Sequence, residues 1–460
     1  MNDRQSWWRR SWPSAGIAAL ASVSLWFVAG GWVNDDFVHI ARLATASVSD
    51  VFRQADPFGF YRPLAHLTLL AQGRLFGFTP AGLRVTNVLI HVVICLLLYA
   101  VASRQMSPRA ALLATVAFVL TPKAHTVAVL WVSARPELVM SLFSLLAILC
   151  WLRWDGHDAR WLLLTTACYV AALLAKETAA LLPILLLFTG ASQSRLAFKR
   201  RLLAVAMISV SALIPLSLRA SAGALMPGTG DHHYLFDLSA GRFFRSFEVY
   251  LPRALPSAAA LLLVVGLPGL LRWGAVRDVA NQPDTKRWLW YGVLWFLVFL
   301  LPVFPIAARS ELYLYLPGAG WCFLCGYLAD QLLLAVKPST RLLVGLVAIY
   351  ITSLLSYQIA RNLHARDVQR FTSAFVQAVG EDEWFRAAHG SVLIVPTDSR
   401  TEQLLREGVS GYIDAVLSNA LGSDRVHGKV AYADQRQDST PAEKVFCTFS
   451  NSQVVLRRAE

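Results

Sequence analysis

Between residues 35 and 311 the chain repeatedly sets carboxylates and cations beside the end of an apolar run. Asp35 and Asp36 follow the first run, and Arg62 lies in the same connecting segment. Lys123 and His125 follow the third run, and Arg135 and Glu137 begin the fourth. Lys176 and Glu177 separate the fifth from the sixth, and Arg309 and Glu311 lie between the ninth and tenth. Ionisable groups at membrane depth are costly, which makes each of them a functional candidate. The set suits transfer to or from an anionic lipid. Cations near the interface can hold a lipid phosphate and stabilise the charge it gains as a leaving group. A nearby carboxylate can accept the proton of an attacking hydroxyl or amine. Asp35 and Asp36 could instead give oxygens to a divalent cation such as Mg or Mn beside that phosphate.

Each residue also has a plainer reading. An Asp-Asp pair in a loop is commonly a solvated turn, and Lys176 could be a snorkelling anchor at a helix end. His91 lies one helical turn after Asn87, where a buried hydrogen-bonded pair serves as well as a ligand. Tyr313 and Tyr315 fit an interfacial aromatic belt. What lifts the charged residues above these readings is that they share one face of the membrane.

The elements that must position them are read from composition. The chain has 460 residues, 56% hydrophobic and only 15% charged, with 15 Trp, and its mean hydropathy is +0.49. A soluble domain carries about a quarter charged residues. Apolar runs of about 18 residues or more read as spanning helices, because a helix satisfies its own backbone in lipid. Such runs cover 14–31, 82–102, 108–122, 136–152, 161–175, 177–190, 201–219, 255–272, 288–306, 312–336 and 341–360, about eleven in all. Lys and Arg in short loops stay in the cytoplasm. Arg9 and Arg10 place the N-terminus there, and Arg104, Arg109, Arg153–Arg160, Arg195–Arg201, Arg272–Arg287 and Lys337–Arg341 fall on the same side. The net charge of +13 is therefore mostly a topology signal, and no nucleic-acid patch is read from it. The six cysteines imply no disulfide framework, and Cys322 and Cys325 read as packing residues on a buried helix.

This expects an all-α polytopic membrane domain over 1–360 and a small extracytoplasmic α/β domain over 361–460. Two outer loops are large, 32–81 and 220–254. In the first, Leu64, Leu67, Leu70 and Ala71 lie at the spacing of one helical face; in the second, Gly241–Leu251 reads as another interfacial helix. In the tail, Ser391–Pro396 reads as a buried strand, Thr401–Leu421 as helix and Lys444–Leu456 as one or two strands.

Several segments, in order, carry a resemblance. They are Asn34-Asp35-Asp36, Tyr61-Arg62-Pro63-Leu64, Asn87 to His91, Thr121-Pro122 to His125, Trp131 to Arg135-Pro136-Glu137, Leu174-Ala175-Lys176-Glu177 and Glu311 to Pro317. Over roughly residues 32–330 the chain resembles GT-C fold glycosyltransferases, and most closely the TMTC-type and related protein O-mannosyltransferase-like (PMT-like) enzymes. The resemblance implies a donor sugar on a polyprenyl or dolichyl phosphate, taken on the outer membrane face and passed to a glycan, lipid or protein acceptor. It implies Asp35 or Asp36 as catalytic base, with Asp35 placed first. It implies Arg62, His125, Arg135 and Lys176 as donor-phosphate contacts, with Glu137, Glu177 and Glu311 orienting these cations. Tyr61, His91, Arg309 and Tyr313 are supporting residues. A single displacement with inversion is expected, catalysed by a hexosyl- or pentosyltransferase in a bacterial cytoplasmic (inner) membrane. Thr121 stands where His-Pro is common, and Leu312 where Glu-Arg-Tyr is common, leaving Arg309 as the substitute cation. The tail carries no tetratricopeptide repeats, which puts a similar protein acceptor in doubt. A carrier of lipid-linked saccharide and a ligase using lipid pyrophosphate are the alternatives.

Overall fold

The computed structural model describes residues 13–154, 156–190, 195–225, 236–270, 273–307, 309–431, 443–450 and 452–458. Arg9, Arg10, Arg272 and the Gly- and Pro-rich stretch 226–235 lie outside the described residues, as does the Lys123 side chain.

A short apolar helix, Pro13–Phe27 (α1), opens the chain. Three helices then fill the first long loop, 32–81: Asp36–Thr45 (α2), Val48–Arg53 (α3) and Pro63–Phe76 (α4). The membrane body follows as Pro80–Ser103 (α5), Pro108–Val119 (α6), Pro122–Leu130 (α7), Arg135–Trp151 (α8), Ala159–Ala175 (α9), Leu182–Phe188 (α10), Arg195–Val210 (α11) and Leu213–Ser221 (α12). It continues through Ala240–Ala254 (α13), Pro256–Leu270 (α14), Trp273–Asn281 (α15), Pro283–Leu300 (α16), Gly318–Val336 (α17) and Thr340–Glu381 (α18). The tail adds Glu383–Ala387 (α19), Gly390–Pro396 (β1), Ser399–Gly408 (α20), Ile413–Leu421 (α21), Val426–Val430 (β2), Glu443–Ser450 (β3) and Gln453–Arg458 (β4).

Every apolar run of the sequence is a helix or a bent pair of helices. Among the described residues six helices are long and apolar enough to cross a bilayer, and eight if each bent pair counts once. The expected count of about eleven is therefore not reached by length. Pro13–Phe27, Ala159–Ala175 and Glu177–Phe188 are the short ones: a helix of 17 residues reaches only about 25 Å against a hydrocarbon core of about 30 Å. The third run bends by 68° between α6 and Ala124–Leu130, at Pro122, whose ring cannot continue a helix. Past that bend α7 packs against α18 and the Glu311–Leu314 turn.

The body is cemented by an aromatic and aliphatic core that includes Trp295, Phe299 and Phe323. Close approach is set by glycine at the crossing of α16 and α17. A Cβ on Gly292 would lie 2.8 Å from the Gly320 carbonyl oxygen, and one on Gly320 2.5 Å from that of Gly292, so these helices meet backbone to backbone as small residues permit. Cys322 and Cys325 are buried free thiols on α17. At the opposite end of that helix, buried Asp330 accepts from Ser107 Oγ at 2.7 Å and pairs with Arg109.

Helix α18 runs without a break through residue 361, where composition changes. At 42 residues it is about 63 Å long, and its second half forms part of the tail's core. Val368, Phe371, Phe375 and Val379 pack there with Ile394, Leu405, Val416 and Leu417, joined by Val33 and Phe37 from the first long loop. The tail's sheet has the order β2-β1-β3-β4, with β1 parallel to β2 and β3, and β4 antiparallel to β3. The single helix expected over Thr401–Leu421 is broken by a tight turn at Ser410–Tyr412. The expected face of α4 is also shifted: Ala65, Leu69, Leu70 and Gly73 are buried, whereas Leu64 and Leu67 are half-buried and Ala71 is exposed.

Candidate active site

The first long loop is held from both sides. Arg84, buried on α5, donates to the carbonyls of Leu130 (2.8 Å), Gly30 (2.9 Å) and Gly31, tying the end of the first apolar run to the end of α7. Asn34 sits in the left-handed region at φ 50°, a conformation Asn tolerates better than most residues. There its backbone N–H donates to the Gly408 carbonyl at 2.8 Å and its side chain to the Glu407 carbonyl at 2.8 Å. The C-terminal domain is thus pinned one residue before the acidic pair.

The two aspartates differ sharply. Asp36 is fully buried and its oxygens are taken: Oδ1 accepts from Ser133 N at 2.8 Å and Ser133 Oγ at 2.7 Å, and Oδ2 from Val33 N at 3.2 Å. It fastens the loop to the turn that starts α8. Asp35 Oδ1 is buried with no hydrogen-bond partner. Burial holds the Asp35 carboxyl well above the usual carboxylate range, and the neighbouring Asp36 adds to that. Burial also raises Asp36, while the Arg84 guanidinium pulls against it.

Asp35 faces a cavity of about 480 Å³ whose walls include Arg62, Trp131, Ser133, Lys176, Arg309 and Tyr313. Arg406, Glu407 and Tyr412 of the C-terminal tail also line it. Two of the cations are held by carboxylates behind them. Arg62 donates to Glu177 from Nε at 3.2 Å and from Nη2 at 2.6 Å, a two-point contact that fixes the guanidinium plane. Arg219 Nη2 donates to the same carboxylate at 3.3 Å. Lys176 Nζ lies 2.5 Å from Glu137 Oε2, both side chains buried, and 4.7 Å from the centre of the Tyr313 ring. Arg309 is exposed to the cavity.

Other expected residues lie elsewhere. Arg135 is completely buried and points away from the cavity, bonded to neutral partners: Asn87 Oδ1, Leu83 O at 2.8 Å and Gln72 Oε1 at 3.2 Å. It joins α4, α5 and α8. His125 is buried against His91 and Tyr315, with ring centres 4.8 and 5.1 Å away. His91 Nδ1 is 2.6 Å from Tyr315 Oη. Neither histidine lines the cavity, because the bend before α7 turns His125 inward. Glu311 pairs with Arg361 at 3.0 Å rather than with Arg309. Tyr61 is buried and donates to the Phe52 carbonyl at 2.9 Å. Thr121 meets Ser257, Oγ to Oγ at 2.7 Å.

Arg84, Arg219 and the cavity-lining residues of the tail were not legible from the motifs. A further group in the same loop also escaped: His39, Asp56 and His66 are all buried, and one ligand atom from each lies within 4.8 Å of the others. Of the Asp35–Asp36 pair expected as possible metal ligands, Asp36 accepts hydrogen bonds at both oxygens, from Ser133 and Val33.

Comparison with known proteins agrees with this architecture. Residues 62–218 match the family described as dolichyl-phosphate-mannose-protein mannosyltransferase. A stretch of 123 residues is 36% identical to Protein O-mannosyl-transferase Tmtc1 of Drosophila melanogaster. That stretch is 26% of this chain and only 14% of the fly protein. Among solved structures, ArnT from Cupriavidus metallidurans bound to undecaprenyl phosphate superposes with a TM-score of 0.52 at 14% identity, covering 94% of this chain and 92% of ArnT. The archaeal oligosaccharyltransferase AglB from Archaeoglobus fulgidus, in complex with an inhibitory peptide and a dolichol-phosphate, gives 0.50 at 11% identity, covering 91% of this chain and 64% of AglB. The chain shares a GT-C-like fold with these structures.

Proposed function

We propose that this chain is an integral-membrane glycosyltransferase that moves a sugar from a polyprenyl-phosphate donor to an acceptor on the outer face of the membrane. The observation that carries the reading is the buried Asp35 carboxyl, one oxygen of which has no hydrogen-bond partner, lining one cavity with Arg62, Lys176 and Arg309. A sugar phosphate ester reacting there has a base on one side and cations on the other. The acceptor hydroxyl attacks the anomeric carbon while its proton passes to Asp35. The bond from that carbon to the phosphate oxygen breaks, and the polyprenyl phosphate leaves with the electron pair. Arg62, Lys176 and Arg309 face the charge that develops on it, in a site where preorganised donors act more strongly than in water. A carboxyl raised by burial suits proton acceptance near neutral pH better than an ordinary aspartate does. With a single base and no second nucleophile in the step, the sugar carbon inverts.

Likeness to ArnT and AglB, whose structures hold undecaprenyl phosphate and dolichol-phosphate, supports a lipid phosphate as the donor's carrier. The cytoplasmic membrane, with the cavity and C-terminal domain outside, is the setting that the loop charges favour. Arg406, Glu407 and Tyr412 give the C-terminal domain a place in acceptor choice.

The test is purified chain in lipid nanodiscs, given polyprenyl-phosphate hexoses and pentoses with labelled sugar. Release or transfer of the sugar with loss of the anomeric phosphate ester supports the reading. Movement of intact lipid-linked sugar across the bilayer makes the chain a carrier instead. Consumption only of pyrophosphate-linked glycan makes it a ligase.

A further inference from the structure

His39, Asp56 and His66 come from three separate pieces of the first long loop: α2, the turn before α4, and α4 itself. Each is more than nine-tenths buried. Buried polar side chains normally find hydrogen-bond partners, but these three leave a gap at their centre. His66 Nε2 stands 4.0 Å from Asp56 Oδ2, beyond hydrogen-bond reach. His39 Nε2 stands 3.8 Å from Asp35 Oδ2. Asp56 is held rigidly by the Phe58 and Phe60 N–H groups, which donate to Oδ1 at 2.9 and 2.8 Å. Its other oxygen, Oδ2, is buried and has no hydrogen-bond partner. Two imidazoles and one aimed carboxylate oxygen therefore converge on a point that no described protein donor fills.

The geometry points to a divalent transition-metal site of the zinc class, held by His39, Asp56 and His66 and open on the side of Asp35. Zinc binds His nitrogen and carboxylate oxygen at about 2.0–2.2 Å, which puts ligand atoms of a tetrahedral site about 3.4 Å apart. The His66–Asp56 gap of 4.0 Å exceeds that spacing by about 0.6 Å, and the other gaps, within 4.8 Å, by at most about 1.4 Å. An N₂O donor set suits zinc-like ions better than Mg or Ca, which prefer all-oxygen shells. Arg42 and Arg62 are the cations that act on these rings; Arg62 is already committed to Glu177 and Arg42 donates to the Gln54 carbonyl at 3.4 Å, while Asp35 and Asp56 bring two carboxylates to the ion. The alternative, a buried network of neutral histidines, does not account for the unsatisfied Asp56 oxygen.

Such an ion would cross-link α2, the turn and α4 behind Asp35, and so fix the loop that carries the proposed base. Metal binding itself is independent of the glycosyltransferase reading and is measured without turnover. Full-length chain, purified without a histidine tag and stripped with chelator, is incubated with Zn²⁺ in modest excess, desalted and assayed by elemental analysis. One zinc per chain is expected, together with a rise in melting temperature on zinc addition. His66→Ala and Asp56→Asn should each weaken binding at least tenfold, and Cys322→Ser should not. Cobalt substitution gives a second readout on the native protein if those variants misfold. Cobalt d–d bands without a sulfur-to-cobalt charge-transfer band support the His/Asp site. Substoichiometric zinc with no thermal shift overturns the proposal, as does a charge-transfer band or equal binding in both variants.

Discussion

The contrast between Asp35 and Asp36 gives the sharpest test, because stability and turnover should separate. Asp36→Ala removes an acceptor for three hydrogen bonds, from Ser133 N, Ser133 Oγ and Val33 N. Bonds to a charged group contribute about 1.5–3 kcal/mol each, and buried donors left unpaired add to the loss. Arg84 also loses the carboxylate in whose field it is buried. With partial relaxation, the cost is on the order of 3–5 kcal/mol, the range found when one partner of a buried charged network is deleted. Asp35→Asn removes no bond at Oδ1, which has none, and relieves repulsion from Asp36. Its effect on stability is expected within about 0.5 kcal/mol, as for substitutions that break no special feature. Removing a general base, by contrast, lowers turnover about 10²–10⁴-fold. Thermal unfolding in detergent and single-turnover assays with a polyprenyl-phosphate sugar read the two effects separately. If Asp35→Asn retains turnover within about threefold, or destabilises as much as Asp36→Ala, the assignment of roles is wrong.

Three other outcomes are expected. Glu177→Gln leaves Arg62 and Arg219 without their shared carboxylate; weaker donor binding, about tenfold in KM at constant expression, follows from the lost two-point orientation, and unchanged KM would detach Arg62 from the donor. Lys176→Met strands Glu137 in a buried site and should destabilise the chain by about 3–5 kcal/mol, whereas Lys176→Met with Glu137→Leu should recover folding but not turnover; a double variant that turns over normally would exclude Lys176 from the chemistry. For topology, reporters inserted after Asp50 and after Gly422 should read the outer side and one after Lys337 the cytoplasm; a cytoplasmic reading at Asp50 or Gly422 would break the shared face.

The apolar runs made the membrane body legible, since length and hydropathy dictate spanning helices whatever their partners. The end of the body was harder to read. Residues 361–381 look polar, yet Val368, Phe371, Phe375 and Val379 form a stripe at helical spacing, so α18 continues where composition alone suggests a boundary. Gly411 lies in the turn that interrupts the helix expected over Thr401–Leu421. Strand β2 was missed because Val-His-Gly-Lys-Val is short and carries one side chain deep into the core, Val426.

In the site, residue type was legible and commitment was not. Arg135 and Arg62 look alike in sequence, each a cation beside proline. Arg135 is consumed by neutral groups up to 67 residues away, while Arg62 is held at the cavity wall by a carboxylate 115 residues away. Asp35 and Asp36 are adjacent, but Asp36 accepts three hydrogen bonds, from Val33 and Ser133, while one oxygen of Asp35 is left bare. What separates a functional charge from a structural one here is whether hydrogen-bonding capacity is left over after folding, and that depends on partners contributed by distant helices. By the same measure Asp56, which carries no motif, keeps a buried oxygen unused. The loop that presents Asp35 thus holds unused carboxylate oxygens both at the proposed base and at the gap enclosed by His39, Asp56 and His66. Asp36 and Arg135 are satisfied by the fold itself, whereas the bare oxygens of Asp35 and Asp56 are the ones to which the proposed base and the proposed metal site assign a use.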